Sequence, residues 1–338
     1  MKILLAGLGS IGQRHARNLR TLLGDRVELL AYRACGTSPV IGPDMTASAG
    51  DPAAAYGIRS FRNLDEALAQ RPDAVFVTNT TALHMPVALA AATAGCHLFV
   101  EKPLSHDWEG VTELTRLVEE AGIVCLVGYQ LRFHPGFRLL GRLLAERAVG
   151  ALLAARIEFG EYLPSWHPWE DYREGSAAQR EQGGGVVLAQ IHDLDVAYAL
   201  FGPPRRVFAL GGKLSSLEID VEDTASILLD CEGVPVHVHQ DLLRRPPRRT
   251  YEVIGEEGTI VWDYHGGTVV TARAGEEPDV TSFDGHDRNE LYLAELRHFL
   301  ACIDGRERPV VGVREGAETL RVALAAKRSL ETGEVVSL

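Results

Sequence analysis

The chain has 338 residues, 46% of them hydrophobic, with a formal net charge of −12. That length predicts about two domains, each able to bury its own core. The acidic balance excludes non-specific nucleic-acid binding, which depends on Lys and Arg neutralising phosphates.

Lys2 to Ala6 reads as a buried strand and leads into Gly7-Leu8-Gly9-Ser10-Ile11-Gly12. In that spacing Gly7 permits a tight turn, Gly9 lets backbone approach a pyrophosphate, and Gly12 lets the following helix pack close to the strand. The phosphates would sit on the helix N-terminus at Ser10 and Ile11. An amphipathic helix from Ile11 to Leu23 and a second strand from Val27 to Tyr32 complete the unit. A glycine turn without a ligand is the other reading.

About twenty residues past the last glycine, an acidic side chain would normally accept the ribose hydroxyl of NAD. Tyr32-Arg33 stands there instead. Arginine offers a planar fork of donors for a 2′-phosphate, and with no carboxylate nearby nothing would repel one. NADP is therefore expected over NAD, with Thr37 and Ser38 as further hydroxyl contacts; a solvated Arg33 is the alternative. The Gly/Pro/Ser/Ala-rich connection from Arg33 to Gly57 suggests a mobile flap.

Asn63-Leu64-Asp65-Glu66 resembles a capping box opening a helix to Gln70, where Arg71-Pro72 stops it. Ala74 to Val77 is a fourth strand, Leu83 to Ala94 a helix closed by Gly95, and Cys96 to Val100 a fifth strand. A helix from Asp107 to Ala121 and a strand from Val124 to Gly128 follow. This alternation predicts a parallel sheet covered on both faces, over residues 1–125. Beyond it, strands at Ala154–Phe159, Val207–Leu210, Ala225–Leu229, Val236–Leu242, Tyr251–Ile254 and Thr259–Trp262 predict a largely antiparallel sheet over residues 126–338. Helices are expected near His134-Pro135, from Gly185, and over Asn289–Cys302 and Val313–Thr332. The fold class is α/β: an N-terminal Rossmann domain with a C-terminal α+β domain whose sheet is open on one face.

Cys35, Cys96, Cys125, Cys231 and Cys302 form no C-x-x-C and read as buried free thiols rather than disulfides or zinc ligands. No segment is apolar enough to span a membrane, and the N-terminus lacks a secretory pattern, so a cytoplasmic protein is expected.

Taken in order, these motifs resemble the Gfo/Idh/MocA family of glucose-fructose oxidoreductase, inositol dehydrogenase and relatives. The resemblance covers nearly the whole chain. It rests on the glycine motif, Thr78-Asn79-Thr80 with His84, Glu101-Lys102-Pro103, Gly128-Tyr129-Gln130-Leu131-Arg132-Phe133, Gly183-Gly184-Gly185 before a helix carrying His192, and Gly255-Glu256-Glu257-Gly258-Thr259. It implies hydride transfer between a nicotinamide and a carbinol or keto carbon of a sugar or cyclitol. It also implies cofactor contacts from Thr78, Asn79, Thr80, His84, Glu101, Lys102 and Gln130, and substrate contacts from Lys102, Arg132, Gln190 and His192. Lys102 ends a parallel strand, where ligands of such sheets collect, and its ammonium can stabilise an alkoxide and donate a proton. His192 is the second catalytic candidate, as a proton relay; a satisfied core histidine is the plainer reading. Polyol-oxidising members carry an aspartate three or four residues earlier. This chain has Leu188 and Ala189 there, which favours reduction through Lys102 alone; Asp195 is one helical step from His192. A non-catalytic nicotinamide-binding regulator, and a lyase or epimerase with tightly held cofactor, remain as rivals.

Tyr162, Trp166, His167, Trp169 and Arg173 lie in one aromatic-rich segment, suited to stacking on a glycan or nucleotide-sugar. Filling a domain seam or an oligomer contact is the other use. Arg244, Arg245, Arg248 and Arg249 would attract a phosphate or carboxylate, or simply face solvent. His237 and His239 share a strand face without a carboxylate or cysteine at ligand spacing, so no metal is expected. The open sheet face would expose apolar side chains, which predicts a homodimer or homotetramer.

Overall fold

The computed structural model describes residues 1–34, 38–283 and 285–338. The chain divides into two compact units, Met1–Tyr129 with Tyr292–Ala317, and Gln130–Leu291 with Glu318–Leu338. Among the described residues no helix is long and apolar enough to cross a membrane.

The first unit runs β1 (Lys2–Ala6), α1 (Ser10–Leu23), β2 (Glu28–Tyr32), β3 (Val40–Ile41), β4 (Ala47–Ser48), α2 (Pro52–Ala55), β5 (Arg59–Phe61), α3 (Leu64–Leu68), β6 (Ala74–Val77), α4 (His84–Thr93), β7 (His97–Glu101), α5 (Val111–Ala121) and β8 (Cys125–Gly128). Six strands form a sheet in the order β5-β2-β1-β6-β7-β8, every pair parallel. The inner strands read as unbroken apolar runs because a parallel sheet is buried on both faces. The capping box forms as expected: Asn63 Oδ1 accepts from Glu66 N at 3.1 Å.

Phe76 and Phe99 stack at 4.7 Å, and Phe299 meets both edge-on at 5.4 and 5.6 Å. That contact corrects the single domain cut expected after residue 125. The helix α9 (Arg288–Ile303) carries Leu296 and Phe299 into the first unit's core. Its apolar face therefore belongs with Phe76 and Phe99, far earlier in the chain, a pairing that helical periodicity cannot reveal.

The described part of the 33–57 connection, expected to be a mobile flap, is hydrogen-bonded to α1. Gln13 of α1 is fully buried. Its Nε2 donates to the carbonyls of Leu8 and Pro39, both at 2.9 Å, and its Oε1 accepts from Ile41 N at 2.7 Å. Arg17, one turn on, donates to Ile41 O at 2.6 Å and to the Tyr56 hydroxyl at 2.9 Å.

The second unit contains α6 (Pro135–Ala145), β9 (Leu152–Gly160), α7 (Val186–Ala189), α8 (His192–Phe201), β10 (Arg206–Gly212), β11 (Thr224–Cys231), β12 (Val234–Asp241), β13 (Arg248–Gly255), β14 (Gly258–Asp263), β15 (Thr268–Arg273) and β16 (Asp279–Ser282), then most of α10 (Val313–Thr332) and β17 (Val336–Ser337). Nine strands lie in the order β16-β15-β14-β13-β9-β12-β11-β10-β17, antiparallel except for the parallel pair β9 and β12. Strands alternate inward apolar and outward polar residues, as a sheet covered on one face requires. Inward, Trp262 stacks on Tyr251 at 4.5 Å. Outward, Glu252, Arg156 and His237 fall in register with Leu228. Cys96, Cys125, Cys231 and Cys302 are free and buried; Cys35 lies outside the described residues.

Gln13→Ala would leave the Leu8 and Pro39 carbonyls and the Ile41 N–H without their partner, at a cost of roughly 2 to 4 kcal/mol. Denaturant unfolding checks the loss, and amide exchange at Ile41 should accelerate; unchanged exchange there would mean that something else holds the hairpin.

Candidate active site

The β1–α1 turn is shaped by the protein's own packing. Gly7 has φ +112°, and a Cβ there would lie 2.9 Å from the backbone of Thr78 and Asn79; a Cβ on Gly12 would lie 2.3 Å from the Gly7 carbonyl. At Gly9 a Cβ would meet nothing within 4 Å. Gly9 caps α1 with no side-chain bond, and the N–H groups of the first turn, at Ser10 and Ile11, have no partner within an ideal helix. These residues fit a dinucleotide pyrophosphate, which would be held by backbone N–H groups at the positive end of the helix.

Around this turn, several residues expected at the cofactor make bonds within the protein. Thr78 Oγ1 donates to the carbonyls of Gly7 at 2.9 Å and Ala6 at 3.2 Å, bracing the turn. Buried His84 has Nδ1 2.8 Å from Pro103 O and Nε2 3.1 Å from Asn79 O. Burial holds this imidazole below its usual pKa against the pull of the two carbonyls; the neutral ring donates its one N–H to one of them and packs against the other. Asn79 keeps an open function: Nδ2 donates to Leu83 O, while Oδ1 is buried and accepts from no described residue. Thr80 precedes the short turn Thr81–Leu83 without capping it.

Lys102 follows the last residue of β7 and is half-buried. Glu101, beside it, is buried and faces His15 of α1, with Oε1 2.7 Å from His15 Nε2; its Oε2 accepts the Lys102 backbone N–H at 3.3 Å. Glu101 is thus turned into the protein, away from the cofactor role expected of it.

Arg33 corrects a second expectation. Its guanidinium is paired with Asp51, whose other oxygen caps α2 through Ala54 N at 3.2 Å. The bond from Arg33 holds this carboxyl below its usual pKa. A carboxylate therefore stands where the local sequence had none, because Asp51 arrives from 18 residues downstream. Thr37 lies outside the described residues.

In the second unit, Gln130 Nε2 lies 3.3 Å from His192 Nε2. Gln130, expected at the cofactor, thus meets the histidine. His192 opens α8, whereas one continuous helix from Gly185 was expected; α7 stops at Ala189. Below the break sits a buried polar cluster that pattern reading missed. Arg249 Nη2 donates to Gln190 Oε1 at 2.7 Å, and Gln240 Nε2 donates to the Gln190 carbonyl at 2.5 Å. Fully buried Asp193 accepts from the Tyr251 hydroxyl at 2.8 Å and lies 3.3 Å from Arg249 Nε. Arginine has no acceptor, so the Gln190 amide oxygen must face Arg249 and its NH₂ group must point the other way.

Arg132, expected at the substrate, donates from Nε and Nη2 to the carboxylate of Asp195 at 2.6 and 2.9 Å. Asp195 is fully buried, and burial raises its pKa against the pull of Arg132. The carboxylate one helical step from His192 is therefore already engaged. Arg173, also expected at the substrate, is exposed and bound to Asp171 and Glu218, each at 2.9 Å. Nearby, Tyr162 lies under Arg245 at 4.0 Å, His167 stacks on Trp169 at 5.0 Å, and Trp166 keeps a buried Nε1 with no described partner. The arginine run splits between faces: Arg244 and Arg248 take Glu158 outside at 2.6 and 2.8 Å, while Arg249 points inward. His239 does meet a carboxylate, Asp241, at 3.4 Å.

Comparison with known proteins places this geometry. Residues 1–129 match "Oxidoreductase family, NAD-binding Rossmann fold" and residues 137–261 match "GFO/IDH/MocA C-terminal domain". The chain is 28% identical over 323 residues to 1,5-anhydro-D-fructose reductase of Ensifer adhaerens, covering 91% of this chain and 93% of that protein. It is 29% identical over 350 residues to myo-inositol 2-dehydrogenase of Thermotoga maritima, covering 100% and 98%. Among solved structures, the WlbA dehydrogenase of Bordetella pertussis, in complex with NADH and UDP-GlcNAcA, superposes with TM-score 0.82 at 24% identity, covering 100% of this chain and 97% of that one.

Arg132→Ala strips Asp195 of its cation and should cost about 3 to 5 kcal/mol at neutral pH. Burial already raises the Asp195 pKa, so without Arg132 the folded carboxyl gains a proton more readily than the unfolded one. The deficit should therefore shrink as pH falls toward the acid range, in denaturation curves of the variant and wild type. A deficit independent of pH would attribute it to lost packing alone.

Proposed function

The chain belongs to the Gfo/Idh/MocA oxidoreductase family, and from that membership we propose that it transfers hydride between NADP(H) and a carbinol or keto carbon of a sugar, cyclitol or nucleotide-sugar-like substrate. The observation that carries this reading is Lys102 at the carboxyl end of β7, in the same parallel sheet whose β1 end bears the glycine turn. Ligands of open α/β sheets gather at that end. A bound nicotinamide supplies or accepts the hydride. Lys102 hydrogen-bonds the reacting oxygen, offsets its developing charge and exchanges a proton with it. Within the second unit, His192, beside Gln130, is the second catalytic candidate, as a proton relay.

The substrate class follows the names of the relatives and the aromatic segment around Tyr162, Trp166, His167 and Trp169. Reduction is the favoured direction. Where polyol oxidation calls for a carboxylate acceptor, this chain has Leu188 and Ala189, and Asp195 is taken by Arg132. Gln190, held by Arg249, offers N–H donors instead, which suit a carbonyl or other acceptor on the substrate. The outward sheet face, with Leu210 and Leu228 exposed, would pair two copies of the chain.

NADP preference rests on Arg33, with Asp51 competing for its guanidinium. Arg33→Ala should weaken NADPH binding roughly 10- to 100-fold and leave NADH nearly unchanged, whereas Asp51→Asn should strengthen NADPH binding; fluorescence titration of nucleotide-free protein reads both. NADH bound more tightly than NADPH by the wild type would overturn the assignment. For the reaction, NADPH oxidation across a panel of keto sugars and cyclitol ketones should exceed NADP reduction by the matching alcohols. Nucleotide retained through purification with no net redox change would instead indicate an internal-redox lyase or epimerase, and nucleotide binding without any turnover a regulator.

A further inference from the structure

We propose that His15 is a positioning residue for Lys102, acting through the buried carboxylate of Glu101; this rests on the reading of Lys102 as the acid/base. His15 lies on α1, one helical turn past Gly12 of the glycine motif, and is 0% exposed. Its ring is enclosed edge-on by Phe99 at 4.8 Å, Phe76 at 5.6 Å and Tyr292 at 6.2 Å. Nε2 has one partner, Glu101 Oε1 at 2.7 Å. Nδ1 is buried and meets no hydrogen-bond partner among the described residues.

That orphan nitrogen decides the charge state. A doubly protonated ring would bury an N–H with no acceptor beside it, whereas the neutral ring with its proton on Nε2 leaves only a lone pair unmet. The bond between them therefore runs from the His15 Nε2–H to Glu101 Oε1. A buried carboxylate is costly unless hydrogen-bonded, and Glu101 is served on both oxygens: Oε1 by His15 and Oε2 by the backbone N–H of Lys102. Gly128, its register partner on β8, lies beside the carboxylate, and a Cβ there would meet it in ordinary contact at 3.4 Å.

The pair ties the helix that begins at the phosphate-binding turn to the residue that begins the chemistry. Motion of α1 along its axis would pull Glu101 and, through it, the backbone from which the lysine side chain springs. It also fixes one negative charge at the base of the Lys102 side chain, facing the neutral His84 of α4, which feels both charges. Without the His15 donor, Glu101 Oε1 loses its buried partner, and the carboxylate that accepts the Lys102 backbone N–H is no longer held in place.

Four lysines, Lys2, Lys102, Lys213 and Lys327, make a direct readout feasible without a substrate. Reductive ¹³C-dimethylation of the full chain gives one resonance per lysine, and Lys102 is assigned by its absence in Lys102→Arg. In Glu101→Gln and His15→Phe the Lys102 resonance should shift, and its titration midpoint should fall by roughly 0.5 to 1 unit. His15→Gln, which keeps an N–H donor, should stay near wild type. Glu101→Gln preserves size and can still accept from His15, so it remains informative if His15→Phe does not fold. Superposable Lys102 titrations in Glu101→Gln and wild type would overturn the proposal. Because the readout needs no turnover, it is independent of whether Lys102 proves to be the acid/base, which is decided by the activity of Lys102 variants.

Discussion

No side chain fits between Gly12 and the carbonyl of Gly7, 2.3 Å from where a Cβ would be. The rest of the first unit depends on that close approach. It sets how far α1 sinks against the sheet, and Thr78 fixes the same turn from β6. With α1 at that depth, Gln13 reaches the segment after β2 and His15 reaches the end of β7. One helix thereby sets the pyrophosphate turn, the adenosine-side connection and the strand end that carries Lys102.

The second unit uses buried charge for a similar purpose. Asp193 and Asp195 lie two positions apart at the start of α8, both fully buried, and each meets its own arginine: Arg249 from β13 and Arg132 from the segment before α6. Losing one partner would leave an uncompensated ion, so these pairs specify where α8 begins and hence where His192 stands. They also determine which groups near His192 remain available. Asp195 is spent on structure, and Arg249 turns the Gln190 amide so that it offers donors.

Much of this was legible from local pattern. The strand-glycine-helix opening, the Asn63 cap, α10 and the position of Lys102 at a strand end follow from periodicity and turn chemistry within windows of a few residues. What escaped reading is non-local. Glu101 and His15 are 86 residues apart, and nothing near either marks them as partners. Arg33 appeared free of carboxylates because Asp51 lies beyond a connection with no periodicity. Arg132 and Arg173 carried the right chemistry for a substrate contact, yet acidic residues elsewhere in the fold claim them. The helix through His192 was read as continuous because its apolar pattern is, while the break at Gln190 follows from bonds made by Gln240 and Arg249. Strand β15 carries a β-branched signal in Thr268-Val269-Val270-Thr271 and lies outside the six strands expected of this unit, whereas the four residues of β16, from Asp279 to Ser282, resemble a connecting loop.

The proposed role of Lys102 is the proton transfer that accompanies hydride transfer. The measurement that bears on it without intervening steps is the single-turnover rate of NADPH oxidation by Lys102→Met, with the keto compound that the wild type reduces fastest. That rate should be lower by about 10²- to 10⁴-fold with NADPH affinity unchanged. A rate within a few-fold of wild type would contradict it.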